Sequence, residues 1–278
     1  MPSASAVDVD GAGARSPRPD AFLLDLGTGC RQQGFDLPAG PARIAAAVTH
    51  LHFDHVQGLP FYRPALTPGS VIDVYGPPPE GMRLEDAFHG FIKPPWFPVE
   101  LRNLPGEIRF HEVRDAEFSV GPFSVMVRQI PHVGETCGYR IGEAGASVAY
   151  ISDHQAPFMR DVVSPAVLAL CDGVDLLIHD AQYTEQEFSL KKEWGHSTLG
   201  YAVRVARESG ARRLALYHHD PTHDDGDLDR MLEEVSKLAS GVGAKDLEIV
   251  MASEGLTMEI AQRTWSDAPA GPERGSRV

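Results

Sequence analysis

The residues best suited to chemistry lie in one short stretch, THLHFDHVQGL, which contains His50, His52, Asp54 and His55. It directly follows the β-rich run AAAV. Because alternate side chains of an extended segment point to the same side, His50 and His52 can both reach one metal ion from the end of a strand. If the chain then turns into a helix, Asp54 and His55 can bind a second ion close by. The spacing therefore predicts a metal centre, and a histidine-rich surface loop is the weaker alternative.

Further imidazoles and carboxylates come at or just after other strand-like runs, namely VMVRQI, VAYIS, LLI and LALY. These residues are His132, Asp153, His179, Asp180, His218 and His219. Because the carboxyl ends of strands in a layered α/β fold meet at one edge of a sheet, we expect these side chains to converge there. Taken singly, His132 or Asp153 is more typical of a turn or of a hydrogen-bonded core group, so the prediction depends on their convergence.

The elements that must hold these residues are short β-rich runs separated by turns and a few helices, which predicts a layered α/β domain. We expect strands at 22–25, 45–49, 71–75, 123–130, 147–151, 176–178 and 214–217. Ser197 is the predicted N-cap of one helix, which Gly210 ends. A second helix is predicted to begin near Asp227 and to stop before Gly241.

The rest of the chain divides by composition. Residues 1–20 are small and rich in glycine and proline, which predicts a flexible segment with at most a short edge strand at 5–9. One domain is expected over 21–263, followed by a flexible tail at 264–278. Segment 76–106 is rich in proline and aromatic residues and is predicted to be a lid-like insertion. Its aromatic residues are Phe88, Phe91, Trp96 and Phe97. They either cover a substrate or pack onto the domain or a second subunit.

Composition excludes several classes of protein. The chain has 278 residues and a formal net charge of −14, which opposes binding to a long polyanion or to an anionic membrane surface. Its three cysteines are scattered, so the sequence supports neither a disulfide framework nor a thiolate zinc site. No apolar run is long enough to cross a membrane. These features predict a soluble, cytoplasmic protein with no membrane partner.

With these motifs in place, the sequence resembles the metallo-β-lactamase superfamily over about residues 22–260, in the branch of ribonuclease Z and the phosphoribosyl cyclic phosphodiesterases. The resemblance implies a four-layer αβ/βα sandwich with two metal ions at one edge. It implies that His50, His52 and His132 bind the first ion, that Asp54, His55 and His218 bind the second, and that Asp153 bridges them. His218 is preferred over His219 because the family's last histidine directly follows a strand. Asp25 in LLDLGTG resembles a buried aspartate that orients ligand histidines.

Two more matches favour the phosphodiesterase branch. His196 in GHST and Asp180 in HDAQYT resemble the HST and HEAT motifs, whose histidine and acid form a proton-donating couple. We therefore expect His196, Asp180 and also Asp54 to be catalytic. A helix-terminal role for His196 and an orienting role for Asp180 are the structural alternatives. The chain departs from the branch in lacking the glycine-rich opening before LLDLGTG, so a first N-terminal strand is expected to be missing.

The functional expectation is a dinuclear hydrolase. Nitrogen and oxygen donors suit two Zn²⁺ ions, with Mn²⁺ or Fe²⁺ as alternatives. Such a pair would lower the pKa of a bridging water and supply a hydroxide nucleophile. A small, for example cyclic, phosphodiester is the expected substrate, and a homodimer is compatible with the sequence. The rival hypotheses are hydrolysis of a carboxylic ester, lactone or thioester and, less favoured, a non-catalytic metal-binding protein.

Overall fold

Two β-sheets lie face to face at the centre of the protein. The computed structural model describes residues 17–158 and 162–261. The first sheet is entirely parallel, and its strands in spatial order are β1 (Ala21–Leu24), β2 (Arg43–Ala47), β3 (Val71–Gly76) and β4 (Glu107–Glu112). Strands β1, β2 and β3 are short and mostly apolar because both faces of the sheet are covered there.

The second sheet is mixed. Its strands are β5 (Glu117–Val120), β6 (Phe123–Gln129), β7 (Cys137–Glu143), β8 (Ala146–Ile151), β9 (Leu176–Asp180), β10 (Arg213–Tyr217) and β11 (Glu248–Met251). They lie in the order β11 to β5, with antiparallel pairs from β5 to β8 and parallel pairs from β8 to β11. As a result, the carboxyl ends of β6, β8, β9 and β10 share one edge.

The described residues form seven α-helices, of which α3, α4, α6 and α7 pack on the outer faces of the sheets. They are α1 (Gly29–Asp36), α2 (Phe53–Val56), α3 (Leu84–Phe91), α4 (Pro165–Cys171), α5 (Glu185–Leu190), α6 (Leu199–Ser209) and α7 (Asp225–Gly241). Three 3₁₀ turns, at Leu59–Phe61, Arg63–Leu66 and Leu101–Asn103, complete the described elements. Within the two described ranges, no helix is long and apolar enough to cross a membrane.

Three apolar clusters hold these layers together. The cluster between the sheets includes Ala45, Ala47, Tyr75, Val127 and Tyr139. A second cluster packs the outer face of the first sheet against α3, and a third packs the outer face of the second sheet against α4, α6 and α7. The order of layers is therefore helix, sheet, sheet, helix, which confirms the predicted αβ/βα sandwich.

The seven predicted strands are all present, each within two residues of its predicted ends. The prediction did not include β4, β5, β7 and β11, which carry charged, glycine or exposed residues that weaken the apolar alternation. The three cysteines are free and buried, as the scattered spacing indicated.

The N-cap predicted for α6 is wrong by one residue. The hydroxyl of Thr198 accepts a hydrogen bond from the Tyr201 backbone N–H, whereas the Ser197 hydroxyl donates to the His154 carbonyl. Gly210 ends the helix in the left-handed conformation, as predicted. Helix α7 begins at Asp225 rather than near Asp227, because Asp224 and Asp227 form a reciprocal capping box.

Segment 76–106 connects β3 to β4 and carries α3. Leu84 and Phe88 on this helix are fully buried in the cluster against the first sheet, while Trp96 is 77% exposed. Phe91 and Phe97 make edge-to-face contacts with Phe53 and Phe61. Part of the segment is thus a structural crossover, and a lid role for its exposed aromatic side chains stays a prediction.

The predictions for the chain termini concern residues that are mostly outside the described ranges. These include the possible edge strand at 5–9 and the tail at 264–278. In the described part of the first sheet, β1 is the edge strand.

Candidate metal centre

One group of donors lies where the two sheets meet. His50 and His52 follow β2, His132 follows β6, and Asp153 follows β8. One ligand atom from each of these four residues lies within 4.8 Å of the others. The Nε2 atom of His132 is 3.4 Å from Nδ1 of His52, and both nitrogens face the same point. These are the residues expected to bind the first ion, with Asp153 as the bridge.

A second group lies beside the first and consists of Asp54, His55 and His218. The Nε2 atom of His55 is 3.2 Å from Oδ2 of Asp54, and Nε2 of His218 is 3.5 Å from the same oxygen. Asp54 and His55 come from α2, the short helix that the sequence predicted after the strand. His218 follows β10 and has a φ of 58°, an unusual left-handed conformation for a histidine.

Asp153 lies between the two groups and turns one oxygen toward each. Its Oδ2 is 3.8 Å from His50 Nε2 and 3.6 Å from His132 Nε2. Its Oδ1 is 3.2 Å from His55 Nε2 and 3.3 Å from His218 Nε2. This arrangement is suited to a carboxylate that bridges two cations.

The unpaired atoms at the centre fit bound cations. His50 Nε2, His55 Nε2 and Asp153 Oδ1 are buried and have no hydrogen-bond partner. Leaving such atoms unpaired costs on the order of 1–3 kcal/mol each, which metal coordination would offset. The donor set of imidazoles and carboxylates suits divalent Zn²⁺, Mn²⁺ or Fe²⁺.

Hydrogen bonds fix the outer nitrogens of three candidate ligands. His55 Nδ1 lies 2.8 Å from Oδ2 of Asp25, and His132 Nδ1–H donates to the Gly195 carbonyl over 2.7 Å. His50 Nδ1 lies 3.0 Å from the Thr49 hydroxyl. Each ring therefore presents Nε2 to the centre, which is the orienting role that carboxylates and carbonyls play behind metal ligands.

Asp25 is itself held in place at the end of β1. It is buried, has a φ of 64°, and accepts hydrogen bonds from the Thr49 backbone N–H at 2.7 Å and the Tyr150 hydroxyl at 3.0 Å. These contacts hold the Asp25 carboxylate against Nδ1 of His55, where it can orient the imidazole. The sequence-based prediction of an orienting role for Asp25 agrees with this geometry.

The electrostatics of the centre separate its histidines into two kinds. Burial and the neighbouring His55 lower the pKa of His50 to about 2, so this ring stays neutral and able to bind a cation. Burial opposes the charged form of His55 as well, but the carboxylates of Asp25, Asp153 and Asp54 outweigh it and raise the pKa of His55.

The predicted couple of His196 and Asp180 is formed. His196 Nδ1–H donates to Oδ2 of Asp180 over 2.9 Å. The Asp180 carboxylate is fully buried and also accepts from the backbone N–H groups of His154, Gln182 and Ser197. The His196 ring stacks on His218 with centroids 4.9 Å apart, so it lies next to the second group of donors.

Two other histidines that the sequence singled out lie away from the centre. His219 Nε2–H donates to the Ala252 carbonyl over 2.9 Å, so His218 is the histidine that joins the donors. His179 is buried, donates from Nδ1 to the Asp180 carbonyl, and packs near His154. Because successive side chains of a strand point to opposite faces, His179 lies on the opposite side of β9 from the Asp180 side chain.

Sequence reasoning missed Gly195, although this residue directly precedes His196. It has a φ of 93°, and a Cβ added there would lie 2.5 Å from Nδ1 of His132. Its N–H donates to the Gln155 side chain over 2.9 Å. The only signal in the sequence was the glycine of GHST, and only the fold shows that it lies against His132.

Comparison with known proteins identifies the family of the chain. The sequence model described as a beta-lactamase superfamily domain matches residues 21–219. A ribonuclease Z of Myxococcus xanthus is 27% identical over 282 residues, covering 88% of this chain and 90% of that protein. A ribonuclease Z of Haloferax volcanii is 28% identical over 313 residues, covering 97% of this chain and 92% of that protein.

Solved structures share the fold. The short form of human tRNase Z superposes with a TM-score of 0.60 and 24% identity, over 86% of this chain and 88% of that one. A diphosphatase of the PhnP family superposes with a TM-score of 0.58 and 20% identity, over 87% and 81%. The chain therefore belongs to the beta-lactamase superfamily, and the curated relatives that it resembles are ribonucleases Z.

Proposed function

We propose that the protein is a dinuclear phosphodiesterase that hydrolyses a small, for example cyclic, phosphodiester. The observation that carries this proposal is the division of the Asp153 oxygens between two donor groups, with the His196–Asp180 couple beside them. Bridged dications suit the in-line displacement of a phosphoester.

In this proposal, one ion is held by His50, His52 and His132 and the other by Asp54, His55 and His218, with Asp153 shared. Two zinc ions are the proposed occupants, and Mn²⁺ or Fe²⁺ are tolerated by the same donors. When bound, such ions supply a nucleophilic hydroxide near neutral pH and offset the charge that develops on the phosphoryl oxygens.

His196 is the proposed proton donor. Its Nδ1–H is committed to Asp180, which leaves Nε2 as the atom that can pass a proton to the leaving oxygen. Asp180 has the role of a positioning residue, because its buried carboxylate fixes the orientation of the His196 ring. Asp54, whose side chain is 59% exposed, is the carboxylate best placed to accept a hydrogen bond from the attacking water.

A small substrate is proposed over tRNA on two grounds. The chain carries a net charge of −14, which disfavours a long polyanion. The connection between His132 and Asp153 contains only the tight β7–β8 hairpin, and the described residues there form no extended basic arm. The names of the relatives, ribonuclease Z and tRNase Z, favour cleavage of RNA, such as tRNA, as the second candidate.

The proposal is tested with metal-reconstituted protein and bis(p-nitrophenyl) phosphate. We expect turnover by the wild type and its loss in His52→Ala, with His89→Ala as a matched control. His89 lies on α3, outside the candidate centre. Two bound ions per chain without hydrolysis of any diester or ester would instead indicate a non-catalytic metal-binding protein.

Two further experiments test the proton donor and the class of substrate. His196→Ala is expected to lose more activity on uridine 2′,3′-cyclic phosphate, which has an alkoxide leaving group, than on the nitrophenyl ester, because the poorer leaving group needs the proton. Equal losses would contradict the donor role.

A substrate panel tests the proposed class of substrate. Preference for a 3′-extended precursor tRNA would overturn the proposal of a small substrate. Hydrolysis of lactones or thioesters alone would overturn the proposal of a phosphodiesterase.

A further inference from the structure

A cavity of about 360 Å³ opens beside the second donor group. Asp54, His55 and His218 form one wall of it. The other wall comes from the loop after β1, the start of α1 and the segment after β11. These segments contribute Asp25, Gly27, Thr28, Gly29, Cys30, Gln33 and Glu254, and Leu23 and Leu24 of β1 and Tyr217 of β10 complete the lining.

The loop after β1 is fixed against the ligand-bearing segment. The Leu26 N–H donates to the His55 carbonyl, and the Gly58 N–H donates to the Leu26 carbonyl, both over 2.8 Å. A Cβ at Gly27 would lie 2.5 Å from the Asp54 carbonyl oxygen, so only glycine allows this approach. The wall of the cavity is therefore preformed and does not need a substrate to assemble it.

The chemistry of the lining is neutral and acidic. Among the described residues around the cavity, none is a lysine or an arginine. Thr28 offers a hydroxyl, and Gln33 accepts from the Tyr62 hydroxyl through Oε1 over 2.6 Å, which directs its amide nitrogen to other acceptors. Glu254 adds a carboxylate on the exposed side. Such a lining suits hydroxyl groups and repels a phosphate group.

The cavity and the proposed proton donor lie on opposite faces of His218. The His218 ring stacks on His55 at 5.6 Å and on His196 at 4.9 Å, nearly parallel to both. His55 lines the cavity, while His196 does not. A leaving group that takes its proton from His196 is thus on the far side, and the cavity is left for the substituent that stays on phosphorus.

We infer that this cavity is a specificity subsite for an uncharged, hydroxyl-bearing substituent of the diester, such as a nucleoside, and that Glu254 discriminates against substituents that carry a second phosphate. This inference rests on the proposed phosphodiesterase function, since it names the substrate class of the same centre. Two like charges several ångströms apart at a partly exposed site repel by enough to change relative affinity about tenfold.

The test uses thymidine 5′-(p-nitrophenyl phosphate) and its 3′-phosphorylated analogue. We expect wild-type kcat/KM to be about tenfold higher for the first compound. Glu254→Lys should shrink or reverse that preference. Glu248→Lys makes the same charge change at the exposed start of β11, the opposite end of the strand, and should leave the ratio unchanged.

Calorimetry separates this inference from the proposed function. Thymidine 5′-phosphate should bind the metal-loaded wild type more tightly than thymidine 3′,5′-bisphosphate, and Glu254→Lys should narrow the difference. If no diester is hydrolysed but this difference in binding is found, the result contradicts the proposed phosphodiesterase function and supports the subsite. Equal or tighter binding of the bisphosphate to the wild type, or the same behaviour of both lysine variants, would overturn the subsite.

Discussion

The two halves of the candidate centre are built in different ways. The first sheet contributes four donors from a single stretch of six residues, His50 to His55. The second sheet contributes His132, Asp153 and His218 from three separate strand ends. The first half therefore depends on local backbone geometry, and the second depends on the register of strands that are far apart in the chain.

The second half also carries the elements that join the two sets of donors. Asp153 faces both groups, and His196 lies against the last histidine, His218. Each half has its own buried carboxylate behind a histidine, Asp25 behind His55 and Asp180 behind His196. In the proposed function, the first half provides binding groups, and the second provides the bridge and the proton-transfer couple.

The largest effect is expected from removing the bridge. Asp153→Ala takes a ligand from both ions, whereas His52→Ala takes one from the first ion alone. We expect Asp153→Ala to lose both ions and His52→Ala to keep about one. Turnover by Asp153→Ala should fall by more than about 100-fold, which is a larger loss than the removal of a residue that only orients a metal ligand. Metal analysis of folded protein, checked by circular dichroism, measures this. Retention of two ions by Asp153→Ala would show that Asp153 is not needed as a ligand of either ion.

The paired buried carboxylates should separate metal binding from proton transfer. Asp25→Asn loosens His55 and is expected to weaken metal affinity about 10- to 100-fold. Asp180→Asn should leave metal content unchanged and lower turnover of a diester with an alkoxide leaving group, with a smaller loss on nitrophenyl esters. Metal titration and a leaving-group series measure the two effects. If Asp180→Asn also lost metal, its proposed role would have to move from proton transfer to metal binding.

Gly195→Ala tests how far the second half depends on close packing. The new Cβ meets the His132 ring, so we expect weaker metal binding in addition to backbone strain. Gly210→Ala is the matched control, because Gly210 also has a positive φ of 69° but has nothing within 4 Å of its would-be Cβ. The control should lose about 1 kcal/mol of unfolding free energy and no metal. Similar metal affinities in the two variants would indicate that the Gly195 contact is dispensable.

The smallest effect is expected at Thr198, the N-cap of α6, which lies two residues after His196. Thr198→Ala removes the hydroxyl that accepts from Tyr201 and should lower the free energy of unfolding by about 1 kcal/mol. Urea denaturation measures the loss, and turnover should change little if the Asp180 contacts alone hold His196. A large loss of activity would show that the cap also positions the proton donor.

Much of the fold was predictable because its central strands are continuous apolar runs. The predictions were weaker at β4 and β5, where charged and exposed residues alternate with apolar ones, and where only neighbouring strands identify them as part of a sheet. The error at the α6 cap has a similar origin. Ser197 and Thr198 are both suitable caps, and only the direction of the Ser197 hydroxyl toward the His154 carbonyl distinguishes them.

The sequence by itself identified the donors between His50 and His55, because a strand end followed directly by a helical turn can bring their side chains close together in space. It also predicted the kinds of metal that such donors accept. The family resemblance already favoured His218 over His219 and Asp153 as the bridge. Only the tertiary structure shows that the His218 ring faces the centre, that Asp153 turns one oxygen toward each donor group, and that Gly195 lies against His132. Those relations depend on strand register and close backbone approach, which bring together residues that are widely separated in the chain.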